Sequence, residues 1–160
     1  MQKTRRLQGK TDYKKRLKLL RGEKPRIVIR KTNRYVTIQY IISEEARDKV
    51  LLAVSSKILT KYGWKEKDKN SLKSIPAAYL TGYLFGIKMK DRELDEKAIV
   101  DLGMYRPIIN SRIFSAVKGV VDSGVKITFN GKINEERING SHIKREINLN
   151  EIKKKIEKEI

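Results

Sequence analysis

Arg26-Ile27-Val28-Ile29-Arg30-Lys31-Thr32-Asn33-Arg34-Tyr35-Val36-Thr37-Ile38-Gln39-Tyr40-Ile41-Ile42 is the stretch that decides the fold class. Both halves are rich in β-branched residues, which fit a pleated surface better than a helix. The spacing predicts one strand over 26–31, with Ile27 and Ile29 turned inward, and a second over 35–42. In the second, Val36, Ile38, Tyr40 and Ile42 share one face, while Tyr35, Thr37, Gln39 and Ile41 share the other. Thr32-Asn33-Arg34 has the polar composition of a turn. A hairpin built this way turns Arg26, Arg30, Tyr35, Thr37 and Gln39 outward. Cations interleaved with an aromatic ring and hydrogen-bonding groups suit RNA, where stacking and phosphate contacts act together. The same pattern also describes an ordinary polar outer face, and alternation alone does not separate the two.

Upstream of the hairpin the chain is strongly basic. The 160 residues carry 38 Lys or Arg against 19 Asp or Glu, a formal charge of +19. Residues 1–35 hold 14 of those cations against Asp12 and Glu23, a net of +12, so most of the excess lies in the first fifth of the chain. Lys3-Thr4-Arg5-Arg6-Leu7-Gln8-Gly9-Lys10 has almost nothing to bury and reads as an arm ordered by a partner's negative charge. A merely solubilising tail is the plainer alternative, but Arg forks grip phosphate bidentately and favour contact. Tyr13, Leu17 and Leu20 recur at helical spacing, with Thr11 or Asp12 as cap and Gly22 as stop. Lys14, Lys15, Arg16 and Lys18 cover the rest of this basic helix.

Downstream, Val50 to Val54 is a short apolar run that periodicity cannot assign; 46–62 reads as a buried third strand or as the middle of a helix. Ser74 to Lys90 is a predicted helix, capped by Ser74 with Pro76 in its first turn. Its stripe is Ala77, Leu80, Leu84 and Ile87, and Gly82 and Gly86 point to close approach by another backbone. Ala98 to Gly103 reads as a buried strand, and Ile29 and Val100 are expected in the core. A helix from Ser111 turns Ile113, Phe114, Val117, Val120 and Val121 inward and stops at Gly124. Val125 to Phe129 is at most a short strand, and 130–148 is polar and irregular or broken helix. Glu151 to Ile160 is a charged terminal helix with Ile152 and Ile156 on one face, Ile160 a further candidate. The expected division is 1–24 as a basic RNA-binding arm and helix, 25–130 as the α/β core domain, and 131–160 as a polar extension with the terminal helix.

Several function classes fall away on composition. With no cysteine there is no disulfide scaffold, Cys-based zinc site or thiol nucleophile. One histidine, His142, makes no metal cluster or triad. No apolar run approaches the ~20 residues that span a bilayer, and no secretory signal is expected in the basic, polar N-terminus. Asp101 and Asp122 could be imagined as a nuclease metal pair, but such residues more often cap, turn or pair with cations. Asp91, Glu93, Asp95 and Glu96 read as a solvated loop, and no phosphate-binding glycine loop is present. A globular cytoplasmic protein with a polyanion partner remains, with no enzyme activity, cofactor, metal, membrane or small-molecule substrate expected.

Many ordered blocks resemble one family. They are Thr11-Asp12-Tyr13-Lys14-Lys15-Arg16-Leu17-Lys18-Leu19-Leu20, Lys24-Pro25-Arg26-Ile27-Val28, Lys31-Thr32-Asn33-Arg34 and Lys61-Tyr62-Gly63-Trp64. Ile75-Pro76-Ala77-Ala78-Tyr79-Leu80-Thr81-Gly82, Val100-Asp101-Leu102-Gly103 and Ser111-Arg112-Ile113-Phe114-Ser115-Ala116-Val117-Lys118-Gly119 follow, then Asp122-Ser123-Gly124 and Gly140-Ser141-His142-Ile143. Together they are similar to the large-subunit ribosomal protein of number eighteen, the 5S-rRNA-binding protein of the central protuberance, in its archaeal and eukaryotic branch. The likeness spans roughly residues 4–143; the tract before Thr11 keeps only Arg5-Arg6 of a longer arginine-rich run, and beyond 145 it fades.

The resemblance implies an α/β fold: a mixed sheet with packed helices, three N-terminal strands, a helix, a strand and a helix, with 49–55 as the third strand. It implies no catalysis. The expected partners are 5S rRNA, large-subunit rRNA and neighbouring large-subunit proteins. Arg5, Arg6, Lys10, Lys14, Arg16, Lys18, Arg21, Lys24, Arg26, Arg30, Lys31 and Arg34 are expected mostly on phosphates. Tyr13 and Tyr35 are expected to stack, and Asn33 at the hairpin tip to bond RNA edges. The competing class is a nonspecific nucleic-acid or chromatin-type binder, which should take duplex DNA as readily as folded RNA.

Overall fold

The computed structural model describes residues 4–45, 47–64, 71–94, 97–127, 129, 131, 133–141 and 148–158. Two helices, α1 (Thr4–Leu7) and α2 (Tyr13–Arg21), precede the strands β1 (Arg26–Lys31), β2 (Val36–Glu44) and β3 (Arg47–Ser55). A 3₁₀ helix (Ser56–Tyr62) leads towards the long α3 (Ile75–Asp91), then β4 (Ile99–Asp101), α4 (Arg112–Asp122), α5 (Glu135–Asn139) and α6 (Leu149–Lys158). The strands form a mixed sheet in the order β3-β2-β1-β4, antiparallel except for the parallel β1–β4 pair. The run at 50–54 is therefore strand, and the helical turn begins only at Ser56, where Ser55 caps and Gly63 closes with φ of 93°. His142, Asp95, Glu96 and Ile160 lie outside the described residues.

Ile27, Ile29, Val36, Ile38, Tyr40, Leu52 and Val54 turn one face of the sheet towards the helices. Burying such side chains gives about 25 cal/mol per Å² of apolar surface removed from water, the main force holding the two layers together. Ser74 caps α3 by accepting from the Ala77 N–H, and Pro76 sits in the first turn. α3 is buried on most of its circumference, because the sheet, α4 and the C-terminal helices all cover it. Phe85 and Met89 are therefore as buried as the Ala77–Leu80–Leu84 stripe. Ser111 caps α4, which crosses α3 where Gly82, Gly86 and Gly119 remove side chains from between the two backbones.

Three sequence readings change. Val100 is only half-buried, because β4 is an edge strand paired on one side alone. Among the described residues, 125–129 form no strand. The C-terminal helix starts at Leu149, not Glu151, and buries Leu149, Ile152 and Ile156 in the main core. Polar bonds reinforce that seat: Lys153 Nζ donates to Tyr79 Oη at 2.9 Å, and Tyr83 Oη donates to Glu157 Oε1 at 2.5 Å. The bond to Glu157 and partial burial push the Tyr83 phenol up to about 12.

Candidate nucleic-acid interface

α2 buries none of its residues fully, but Leu19 and Leu20 are half-buried on the side of the sheet where Val28 and Ile41 are buried, a thin apolar seat. Asp12 starts it by accepting from the Lys15 N–H, satisfying one orphan donor of the first turn. Gly22 ends it by donating to the Leu20 carbonyl. The helix is also tied down by charge. Arg16 Nη2 reaches Asp48 Oδ2 at 2.9 Å, and Lys15 Nζ donates to the Gly103 carbonyl at 2.9 Å.

The Asp48 contact depends on an irregularity in β3. Tyr40 pairs with Leu52 but Ile41 pairs with Val50, so Leu51 is an extra residue, a β-bulge. Because side chains alternate strictly along a strand, one extra residue reverses the facing of everything beyond it. Leu52 and Val54 stay in the core, whereas Val50 and Asp48 move to the opposite face. There Asp48 meets Arg26, whose Nη2 lies 2.7 Å from Asp48 Oδ1, and Ser43, whose hydroxyl donates to the same oxygen. Arg26 also approaches Asp101 at 3.5 Å, and Asp101 takes Arg30 at 3.2 Å. Arg16, Asp48, Arg26, Asp101 and Arg30 thus form a ladder of alternating charge between α2 and the sheet.

Gly103 makes room for the end of this ladder. Its φ is 61°, and a Cβ there would lie 2.9 Å from Arg30 Cζ. Its N–H donates to Asp101 Oδ1 at 2.7 Å.

Burial acts to raise the Asp48 pKa, but the Ser43 and Arg16 hydrogen bonds and the charges of Arg26 and Arg16 outweigh it. The carboxyl is held below the ordinary 3.8. Its contribution to stability is therefore complete above 3.8 and is lost as the pH falls through the lowered value. Wild type should unfold at a higher urea concentration than Asp48→Asn at pH 6, and the two midpoints should converge in strong acid. A constant gap across the range would remove Asp48 from the acid response.

The hairpin expected to face outward is thereby corrected at two residues. Arg26 is only 2% exposed, with its guanidinium committed to Asp48 and Asp101. Tyr35 is half-buried and packs against the main core, because it precedes β2 in a turn bonded to Thr32 Oγ1 and escapes strand alternation. Arg30 keeps a side chain 40% exposed. Lys31 is half-buried beside the Tyr105 ring, and Tyr13 is also half-buried. Arg5, Arg6, Lys10, Lys14, Lys18, Arg21, Lys24, Asn33 and Arg34 are exposed. Arg5 and Lys10, with Lys15, Arg16 and Arg30, line a cleft of about 150 Å³ that Thr11, Asp12, Leu19, Asp101, Gly103 and Met104 complete.

Lys15 was legible only as one of several helix cations; the loop carbonyl of Gly103 that holds it is remote in sequence. The exposed Met104, Ile108 and Ile109 carried no periodic signal because they lie between β4 and α4. Asp101 and Asp122 do not converge. The first takes Arg26, Arg30 and the Gly103 N–H, and the second takes the Tyr79 hydroxyl and Lys118. Among the described residues no cluster of three His, Cys, Asp or Glu side chains could hold a metal ion, and no helix is long and apolar enough to cross a membrane.

A mixed sheet covered by helices on one face, with a cationic helix paired to it through Arg16 and Asp48 on the other, defines an α/β protein with a strongly basic face. The profile of the ribosomal large subunit proteins 60S L5 and 50S L18 matches residues 1–97. Large ribosomal subunit protein uL18 of Korarchaeum cryptofilum is 45% identical over 87% of this chain and 70% of its own length. The uL18 proteins of Methanoregula boonei and Methanothrix thermoacetophila are 42% and 43% identical, over 78% and 81% of their lengths. The chain belongs to this family of structural ribosomal large-subunit proteins, in its archaeal branch.

Proposed function

We propose that this chain binds 5S rRNA and helps attach it to the large-subunit rRNA in the central protuberance, with residues 1–24 as the binding arm. The observation that carries the reading is the placement of α2. Internal ion pairs consume Arg16 and Arg26, while Lys14, Lys18 and Arg21 on the same segment stay exposed. The ladder thus spends arginines on fixing the helix and leaves its remaining cations for phosphate. Asn33 and Arg34 at the hairpin tip extend the surface, and Arg30 contributes its exposed edge. Most such contacts position an RNA, and its folded shape supplies the selectivity.

The test is equilibrium binding to 5S rRNA across a salt series, beside an unrelated structured RNA of equal length and a DNA duplex. The wild type should prefer 5S rRNA. Lys14→Gln/Lys18→Gln/Arg21→Gln should weaken binding at least tenfold and flatten log K against log salt by about 2, at roughly 0.7 per lost phosphate contact. Equal affinity for all three nucleic acids would leave a nonspecific binder, and an unchanged slope would move the interface away from α2.

A further inference from the structure

The charge outside the arm is not evenly spread either. The 3₁₀ helix and α6 together carry six lysines against Glu151 and Glu157. Lys153 is occupied, bonded to Tyr79 and lying over the Tyr79 and Tyr83 rings, and Glu157 is taken by Tyr83. Lys57, Lys61, Lys154, Lys155 and Lys158 are exposed, and among the described residues none of them pairs with a carboxylate. The two elements are neighbours, and a Cβ on Gly63, at the end of the 3₁₀ helix, would lie 3.1 Å from Lys155 Nζ.

Resting on the reading of α2 as the 5S-binding side, we propose that the 3₁₀ helix and α6 form a second RNA-binding face, which takes the phosphate backbone of large-subunit rRNA. Three features support it. The face lies across the sheet from α2: α6 packs on α3, over the Ile27–Ile29 side, whereas α2 is tied to Asp48 on the reverse side. One chain can therefore hold two RNA segments without crowding them onto one surface. The cations also stand on a fixed base, since Leu59, Tyr62, Ile152 and Ile156 beneath them are buried, so little ordering is needed on binding. Finally, the large hydrophobics exposed among the described residues are Leu7, Leu17, Val50, Met104, Ile108 and Ile109, none on this face. A protein partner wants an apolar or aromatic centre. Phosphates need only point charges, and lysine ammoniums supply them. Lys154 and Lys158, one helical turn apart, repel each other until an anion comes between them.

The experiment uses the full chain and Lys57→Gln/Lys61→Gln/Lys154→Gln/Lys158→Gln, which changes surface charge with little effect on helix propensity. A large-subunit rRNA transcript is captured by protein already bound to immobilised 5S rRNA, and is also titrated directly with protein alone. The quadruple variant should keep the wild-type urea midpoint and bind 5S rRNA within twofold of wild type. It should capture the transcript at least tenfold more weakly, with a direct-binding salt slope flatter by roughly 3. Capture at the wild-type level overturns the proposal. So does normal capture with loss of large-subunit proteins from a pull-down of dissociated subunits, which would make the face a protein-docking surface. The direct titration does not depend on 5S rRNA, so a wild type without 5S preference defeats the α2 reading and leaves this face separately testable.

Discussion

Gly119→Val is expected to lower stability by at least about 3 kcal/mol, the upper end of the cost of overpacking a core, and to leave little soluble folded protein. A Cβ on Gly119 would lie inside the contact distance of the Tyr79 carbonyl oxygen and against the Tyr83 nitrogen. The same holds in reverse for Gly82 against the Ala116 carbonyl. These obstacles are backbone atoms, which cannot rotate away as a side chain does. α3 and α4 would have to separate, opening the layer that covers the sheet. Folded domains have only about 5–15 kcal/mol to lose. Gly22→Ala is the control: at φ −76° its Cβ would meet the Leu19 carbonyl oxygen at 3.5 Å and Ile99 Cδ1 at 3.6 Å, ordinary contacts. It should be neutral or stabilise by up to about 1 kcal/mol, by reducing the freedom of the unfolded chain. Urea unfolding followed by circular dichroism checks both. A Gly119→Val midpoint equal to that of wild type would show that the helices do not need this approach.

Asp101→Asn should cost about 3 kcal/mol, near the lower end of breaking a buried ion pair from one side. The carboxylate serves two guanidiniums, and they are not equivalent. Arg30 is partly exposed and water can take over its charge, whereas Arg26 is almost wholly buried and keeps only Asp48 as a charged partner, beside its Ser43 hydrogen bond. The loss should therefore be mostly Arg26's. Adding Arg26→Met to Asp101→Asn should recover at least half of it, because the stranded charge is removed while Asp48 still pairs with Arg16. A double variant less stable than Asp101→Asn would mean that the Arg26 stem and its Ser43 bond outweigh the charge. Loosening of α2 in the single variant should appear as faster hydrogen exchange at the backbone amides of residues 16–21.

The hairpin was legible because β-branched alternation is a local signal with a short period. Strand β1 falls on the expected 26–31, and β2 begins one residue late because Tyr35 belongs to the turn. The starts of α3 and α4 were legible from Ser74, Pro76 and Ser111, residues whose chemistry acts within a turn. Periodicity could not assign the 50–54 run, since a strand carrying a bulge reads as continuous apolar sequence. The resemblance identified it as strand. The C-terminal helix looked like a charged appendage because its apolar stripe is thin. Its burial comes from α3, more than fifty residues earlier.

The amino-acid sequence alone determined the α/β class, the hairpin, the capped helices and the concentration of positive charge ahead of β1. Each of these depends on neighbours a few residues away. Tertiary structure alone decided what each cation does. Arg26 and Arg30 stand four apart on one strand and read alike. One became a buried strut and the other a half-open edge, because the Leu51 bulge and the parallel pairing of β4 delivered Asp48 and Asp101 from 22 and 71 residues away. Carboxylates brought so far along the chain leave no periodic trace in it, and their positions separate the arginines that hold the fold from the cations left facing solvent.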